Sequence, residues 1–140
     1  MKIEGTQILG TGVDIVETTR IRDSLERFGE RFLNRCFWPE EVAYCNGMKF
    51  PALHFAARFA AKEAISKAFG TGIGHQLGWK DMEIRKRDTG EPYAVLHGRG
   101  AELASARGVT EVFVSLSHCK DYAAAQAVIA GRAPSTGPNQ

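Results

Sequence analysis

The chain has 140 residues, 44% of them apolar and 24% charged, with 18 basic against 16 acidic side chains. That length holds a single modest core, and the composition is that of a soluble globular domain, not a disordered chain. A net charge of +2 and a pI of about 8.5 give no reason to expect nucleic acid or a membrane surface as partner.

Met1–Gly10 carries Lys2 and Glu4 and lacks the apolar run of a secretory leader. Tyr122–Ala130 is interrupted by Gln126 and too short to span a bilayer. The three cysteines, Cys36, Cys45 and Cys119, form no CxxC. They suit a reducing, cytoplasmic setting and read as small core hydrophobes.

In chain order, Ile8–Val16 reads as a strand softened by glycine. Thr18 or Thr19 caps a helix that runs to Phe28 and stops at Gly29. Pro39 opens a short helix through Tyr44, with Glu40 and Glu41 in its first turn. Pro51 starts the longest helix, Ala52–Phe69, which Gly70 ends. Met82–Arg87 and Tyr93–His97 form a hairpin about Asp88-Thr89-Gly90. A helix over Gly100–Arg107 precedes two more strands, Glu111–Ser117 and Tyr122–Ile129, joined by a tight turn at Lys120-Asp121. The class is α+β with a mainly antiparallel sheet. Residues 1–130 form one domain, and 131–140, rich in Pro, Gly and Ser, form a frayed tail.

At about 100° per residue, the long helix gathers Leu53, Ala56, Ala57, Ala60, Ala61, Ala64 and Ala68 into a narrow core stripe. Arg58, Lys62 and Ser66 fall on the opposite face. Glu63 borders the stripe, where a carboxylate needs a partner. It either pairs with Lys67 one turn on or holds a metal. Asp14 interrupts an apolar strand, where aspartate is disfavoured, and Gly10 and Gly12 imply that something approaches that backbone closely. Asp14 and Glu63 are a candidate pair of magnesium ligands. Dinucleotide and Walker loops are disfavoured: Ile15 stands at the third fingerprint position, and Gly70–Gly74 follows a helix where such loops precede one. Along Ser115-Leu116-Ser117-His118 the serines share one strand face and His118 takes the other. The histidines show no zinc spacing.

Three blocks together resemble holo-acyl-carrier-protein synthase. They are Gly10-Thr11-Gly12-Val13-Asp14-Ile15, Arg58-Phe59-Ala60-Ala61-Lys62-Glu63-Ala64 running into Ser66-Lys67-Ala68-Phe69-Gly70-Thr71-Gly72-Ile73-Gly74, and Val114-Ser115-Leu116-Ser117-His118. The resemblance spans about Ile8 to Ile129, and its central block is the most specific. It implies transfer of the phosphopantetheine arm of coenzyme A to a serine of apo acyl carrier protein, releasing adenosine 3′,5′-bisphosphate, as in fatty acid biosynthesis. It implies magnesium on Asp14 and Glu63, with Glu63 and Lys67 catalytic and Lys62 screening charge. Arg58, Lys62, Ser66, Gly70, Gly72 and His118 would bind the cofactor, with Arg58 and His118 near its 3′-phosphate. It also implies a homotrimer with shared sites and an acidic carrier protein. Arg20 and Arg27, seven residues apart, share a face of the first helix on which such a carrier docks, unless Arg27 pairs locally with Asp23. Two other classes compete: a magnesium-dependent phosphohydrolase or nucleotidyltransferase using the same two carboxylates, and a non-catalytic module for coenzyme A or RNA with Arg85, Lys86 and Arg87 as its basic patch.

Overall fold

Along residues 5–134, the part of the chain that the computed structural model describes, the element order is β1 (Gln7–Glu17), α1 (Thr18–Phe28), α2 (Glu30–Cys36), α3 (Pro39–Asn46), α4 (Pro51–Ala68), a short 3-10 turn (Trp79–Asp81), β2 (Met82–Lys86), β3 (Pro92–Leu96), α5 (Gly98–Arg107), β4 (Val109–His118) and β5 (Tyr122–Gly131). The strands form two antiparallel sheets, β1-β5-β4 and the hairpin β2-β3. The class is α+β, as the alternation and turn signals predict.

The three-stranded sheet carries α4 on one face. Ala123, Ala125, Ala127 and Ile129 of β5 point into that interface and are buried, so half of the alanine-rich strand is core. Gly10 and Gly12 explain how closely α4 seats. A Cβ on Gly12 would lie 2.0 Å from the Ala64 carbonyl oxygen, and one on Gly10 would lie 2.0 Å from that of Ala68. What approaches the β1 backbone is therefore α4.

Helix α4 is enclosed on more sides than its alanine stripe requires. Arg58, Lys62 and Ser66, on the face opposite the alanine stripe, are buried as well, and α3 and β2 both pack against α4. The ammonium of Lys62 donates to Glu41 Oε1 at 2.8 Å and to the Cys36 carbonyl at 2.6 Å. Glu41 also accepts from the backbone N–H groups of Trp38 at 2.8 Å and Ile84 at 3.0 Å. One carboxylate thus ties α3, α4 and β2 together, and a buried charge persists only when paired in this way.

Several boundaries differ from expectation. Gly29, at φ +51°, ends α1 but also turns the chain directly into α2, a helix too short to show its own periodicity. No threonine caps α1. Glu17 occupies that position without a side-chain bond, Thr18 Oγ1 is buried and unpaired, and the Thr18 N–H instead donates to the Asp121 carbonyl at 2.8 Å. Gly131 closes β5, paired with Gln7 and Val109, so that residue is not tail. Residues 135–140 of the expected tail lie outside the described residues. Cys36 and Cys45 are core, and burial pushes their thiols up to about 11 and about 12. Cys119 is exposed, because it falls in the β4–β5 turn.

Candidate active site

Where β1 crosses the C-terminal half of α4, Asp14, Glu63 and Lys67 come together. Asp14 faces α4 because its cross-strand partner Ala125 does. Lys67 Nζ lies 3.0 Å from Asp14 Oδ1 and 3.1 Å from the Val13 carbonyl oxygen, so the lysine reaches across to the sheet, not back along its helix to Glu63. Lys67 keeps half of its side chain in solvent, against 17% for Asp14. Burial, and then the Asp14 carboxylate, hold the Glu63 carboxyl above its ordinary range, while Lys67 and Arg20 pull it down. Two oxygen donors that repel each other at one spot suit a hard cation, which would replace the repulsion with attraction. Among the described residues no three His, Cys, Asp or Glu side chains form a metal cluster. Water and ligand oxygens would have to complete such a shell.

Two expected ligand contacts are not presented to a cleft in this chain. Lys62 and Ser66 are both fully buried. Ser66 Oγ donates to the Glu63 carbonyl at 2.7 Å, and the Ser66 carbonyl accepts from Thr71 and Gly72, which ties the glycine loop to α4. Gly70 and Gly72 have φ of +77° and +64° with open space where a Cβ would stand. A glycine is needed there for the turn itself.

Arg58 and His118 meet elsewhere, at the N-terminal half of α4. They line a groove of about 210 Å³ with Tyr44, His54 and Lys86, and no carboxylate is among its lining residues. Arg58 is only 5% exposed, its Nε has no hydrogen-bond partner, and its guanidinium lies 4.1 Å over the Tyr44 ring. Lys86 Nζ donates to the Tyr44 hydroxyl at 3.2 Å. Arg58 forms no ion pair among the described residues, although Glu40, Glu41 and Glu83 line the adjoining cavity on its other side. On the His118 side, a buried guanidinium beside Lys86, His54 and His118 with no acid suits an anion. Lys86 stood out in the sequence only as part of the Arg85–Arg87 basic run, and Tyr44 not at all, since each lies on a different element from Arg58. His54 is the one with a sequence signal, four residues before Arg58 on α4. The rest of the basic run is occupied: Arg85 makes a two-point bond to Glu83, and Arg87 stands 3.9 Å from Glu91 and over Tyr93.

The two clusters sit on opposite flanks of α4. Leu116, level with Asp14, is two strands away, roughly 10 Å at ordinary strand spacing. From Arg58 to its last residue, Ala68, the helix advances about 15 Å.

Residues 10–127 match the model of the 4′-phosphopantetheinyl transferase superfamily. The chain is 45% identical over 122 residues to a holo-[acyl-carrier-protein] synthase of Koribacter versatilis, covering 87% of this chain and 98% of that one. Its fold superposes on the holo-[acyl-carrier-protein] synthase of Neisseria meningitidis with a TM-score of 0.82 at 32% identity, covering 88% and 98% of the two chains. It superposes on the Helicobacter pylori synthase in complex with coenzyme A with a TM-score of 0.77 at 33% identity, covering 85% and 98%. With the three sequence blocks in order and the sheet and α4 superposable on those synthases, the chain belongs to the 4′-phosphopantetheinyl transferase superfamily.

Proposed function

We propose that this protein transfers the 4′-phosphopantetheine arm of coenzyme A to a serine of an apo acyl carrier protein, releasing adenosine 3′,5′-bisphosphate, in support of fatty acid biosynthesis. The observation that carries this reading is the pairing of two charge patterns on one helix. A two-carboxylate site with a half-exposed lysine fits a pyrophosphate and its cation. An acid-free basic groove fits a separate phosphate, and coenzyme A has both groups.

Asp14 and Glu63 would hold magnesium, which supplies charge neutralisation at the pyrophosphate when bound. Lys67 has the exposure and reach to leave Asp14 for a phosphoryl oxygen and screen the charge that develops there. Arg58 and His118 would bind the 3′-phosphate. The Gly70–Gly74 loop, open where side chains would stand, would let the nucleotide approach the backbone. Lys62 acts through structure: its ion pair with Glu41 fixes the turn of α4 that carries Glu63.

The carrier would dock beside Glu63. There, Arg20, Arg31 and Arg35 line a groove of about 400 Å³ with Phe28, Phe32, Phe59 and Trp79, and none of these arginines has an ion pair among the described residues. Among the described residues Asp23 and Arg27 form no ion pair one turn apart on α1, and Arg27 lies over Phe28. These cations suit an acidic partner. A homotrimer is supported by the outer face of the sheet, where Val13 and Ile15 are each 66% exposed and Phe113 is 53% exposed around Gln126. Packing that face around an axis could bring the carboxylates of one chain to His118 of the next. No helix of the described residues is long and apolar enough to cross a membrane, which accords with the cytoplasmic setting expected from the cysteines.

The test is to incubate the protein with coenzyme A, magnesium and an apo carrier, then weigh the carrier. A gain of one phosphopantetheine is the expected result. Turnover of simple nucleotides with no carrier modified would favour the phosphohydrolase class instead.

A further inference from the structure

We infer that His54 is a second imidazole of the basic groove, and that the groove binds a phosphomonoester dianion with uptake of a proton at His54. The inference rests on the proposed placement of a phosphate beside Arg58 and His118. It adds a residue to that site and a proton to its chemistry.

His54 lies on α4 one turn before Arg58. Its ring centroid stands 5.0 Å from that of His118 and 6.0 Å from that of Tyr44, edge-on to both, and all three rings line the groove. The charged or titratable groups that face it are Tyr44 from α3, Arg58 from its own helix, Lys86 from β2 and His118 from β4. Arg58 and Lys86 are permanent cations at neutral pH, and no acid lines the groove. Burial, then His118, Arg58 and Lys86, hold His54 below its ordinary range, so the empty groove keeps it neutral. A dianion among these groups reverses the sign of the field that His54 feels. The imidazolium then becomes the favoured form and adds a charge-assisted hydrogen bond. His54 would otherwise be only an aromatic packing partner, and packing alone binds no proton.

A specificity follows. A nucleotide carrying a separate phosphomonoester gains from this proton uptake, and one lacking it does not. As pH rises and bound His54 loses that proton, the advantage falls.

Calorimetry of the full chain with adenosine 3′,5′-bisphosphate, in two buffers of different ionisation enthalpy at neutral pH, measures the proton. We expect net uptake with the bisphosphate and little with dephospho-coenzyme A, whose phosphates form a pyrophosphate diester with no phosphomonoester. His54→Phe should cut the uptake and weaken bisphosphate binding about tenfold, the scale of one hydrogen bond to a charged group. Binding of dephospho-coenzyme A, which has no phosphomonoester, should weaken far less. A second readout needs no variant to fold: the imidazole proton resonances of the wild-type protein, titrated with and without bisphosphate. Upward movement of the His54 midpoint supports the proposal. An unmoved midpoint, or a His54→Phe protein with wild-type proton uptake and selectivity, overturns it. If these fail while the carrier still gains phosphopantetheine, only the role of His54 falls. If the carrier gains nothing while the bisphosphate binds with proton uptake, the groove stands and the transferase reading falls.

Discussion

Lys67 Nζ sits 3.0 Å from Asp14 Oδ1, spanning from helix to sheet, although Glu63 stands one turn away on its own helix. The choice leaves Glu63 beside a second carboxylate with its own charge poorly compensated.

Glu63→Gln should therefore cost activity and add stability. A loss on the order of a hundredfold suits a ligand of a catalytic metal. Because its folded-state pKa is raised, Glu63 favours the fold below the ordinary carboxylate pKa, and that advantage is lost as pH rises through the raised value. At neutral pH with chelator, the Gln variant should melt above the wild type. Magnesium should raise the melting temperature of the wild type alone. Near-normal turnover by the variant at low magnesium would remove Glu63 from the metal site.

Lys62 and Glu41 form a fully buried ion pair. Glu41→Gln strands the ammonium and should cost on the order of 3–5 kcal/mol in urea unfolding. Lys62→Met combined with Glu41→Gln should be less damaging than the sum of the two single changes. Additive losses would mean that the pair is not coupled.

Gly12→Ala drives a methyl into the Ala64 carbonyl and should destabilise by about 2–3 kcal/mol. Activity should fall further than stability, since α4 must shift and carry Glu63 away from Asp14. Gly74→Ala, with nothing within 4 Å, is the control for stability alone and should leave the melting temperature unchanged. Equal melting temperatures for the two variants would contradict the close seating of α4.

The double change Arg20→Ala and Arg27→Ala should raise the KM for carrier protein and leave that for coenzyme A alone. The carrier's apparent affinity should also drop steeply between low and moderate salt. Arg20 lies over Phe59 and Arg27 over Phe28, so melting curves must accompany the kinetics. Equal changes in both constants would argue against docking on α1.

If sites are shared, Glu63→Gln and His118→Ala proteins, each inactive, should regain activity when unfolded together and refolded as a mixture. Some interfaces then combine two intact halves. A mixture as inactive as its parents, sedimenting as a 15.3 kDa chain, would exclude the shared site.

What the sequence determined by itself was local. Pro51 and Gly70 bound the long helix, two-residue alternation marks the strands, and turn residues mark the hairpin, because each depends only on neighbours in the chain. The three blocks were likewise legible as a family resemblance. Tertiary structure decided which charges are free. Lys62 and Lys67 share one helix five residues apart, yet the first is sealed against Glu41 and the second half open against Asp14. Helix α2 exists because its residues pack on α1 and the turn near Trp79, which no periodicity over seven residues reveals. His54, Tyr44 and Lys86 become a site with Arg58 and His118 only when α3, α4, β2 and β4 meet. The field at a side chain is set by groups close in space, and sequence spacing orders those only within a single element.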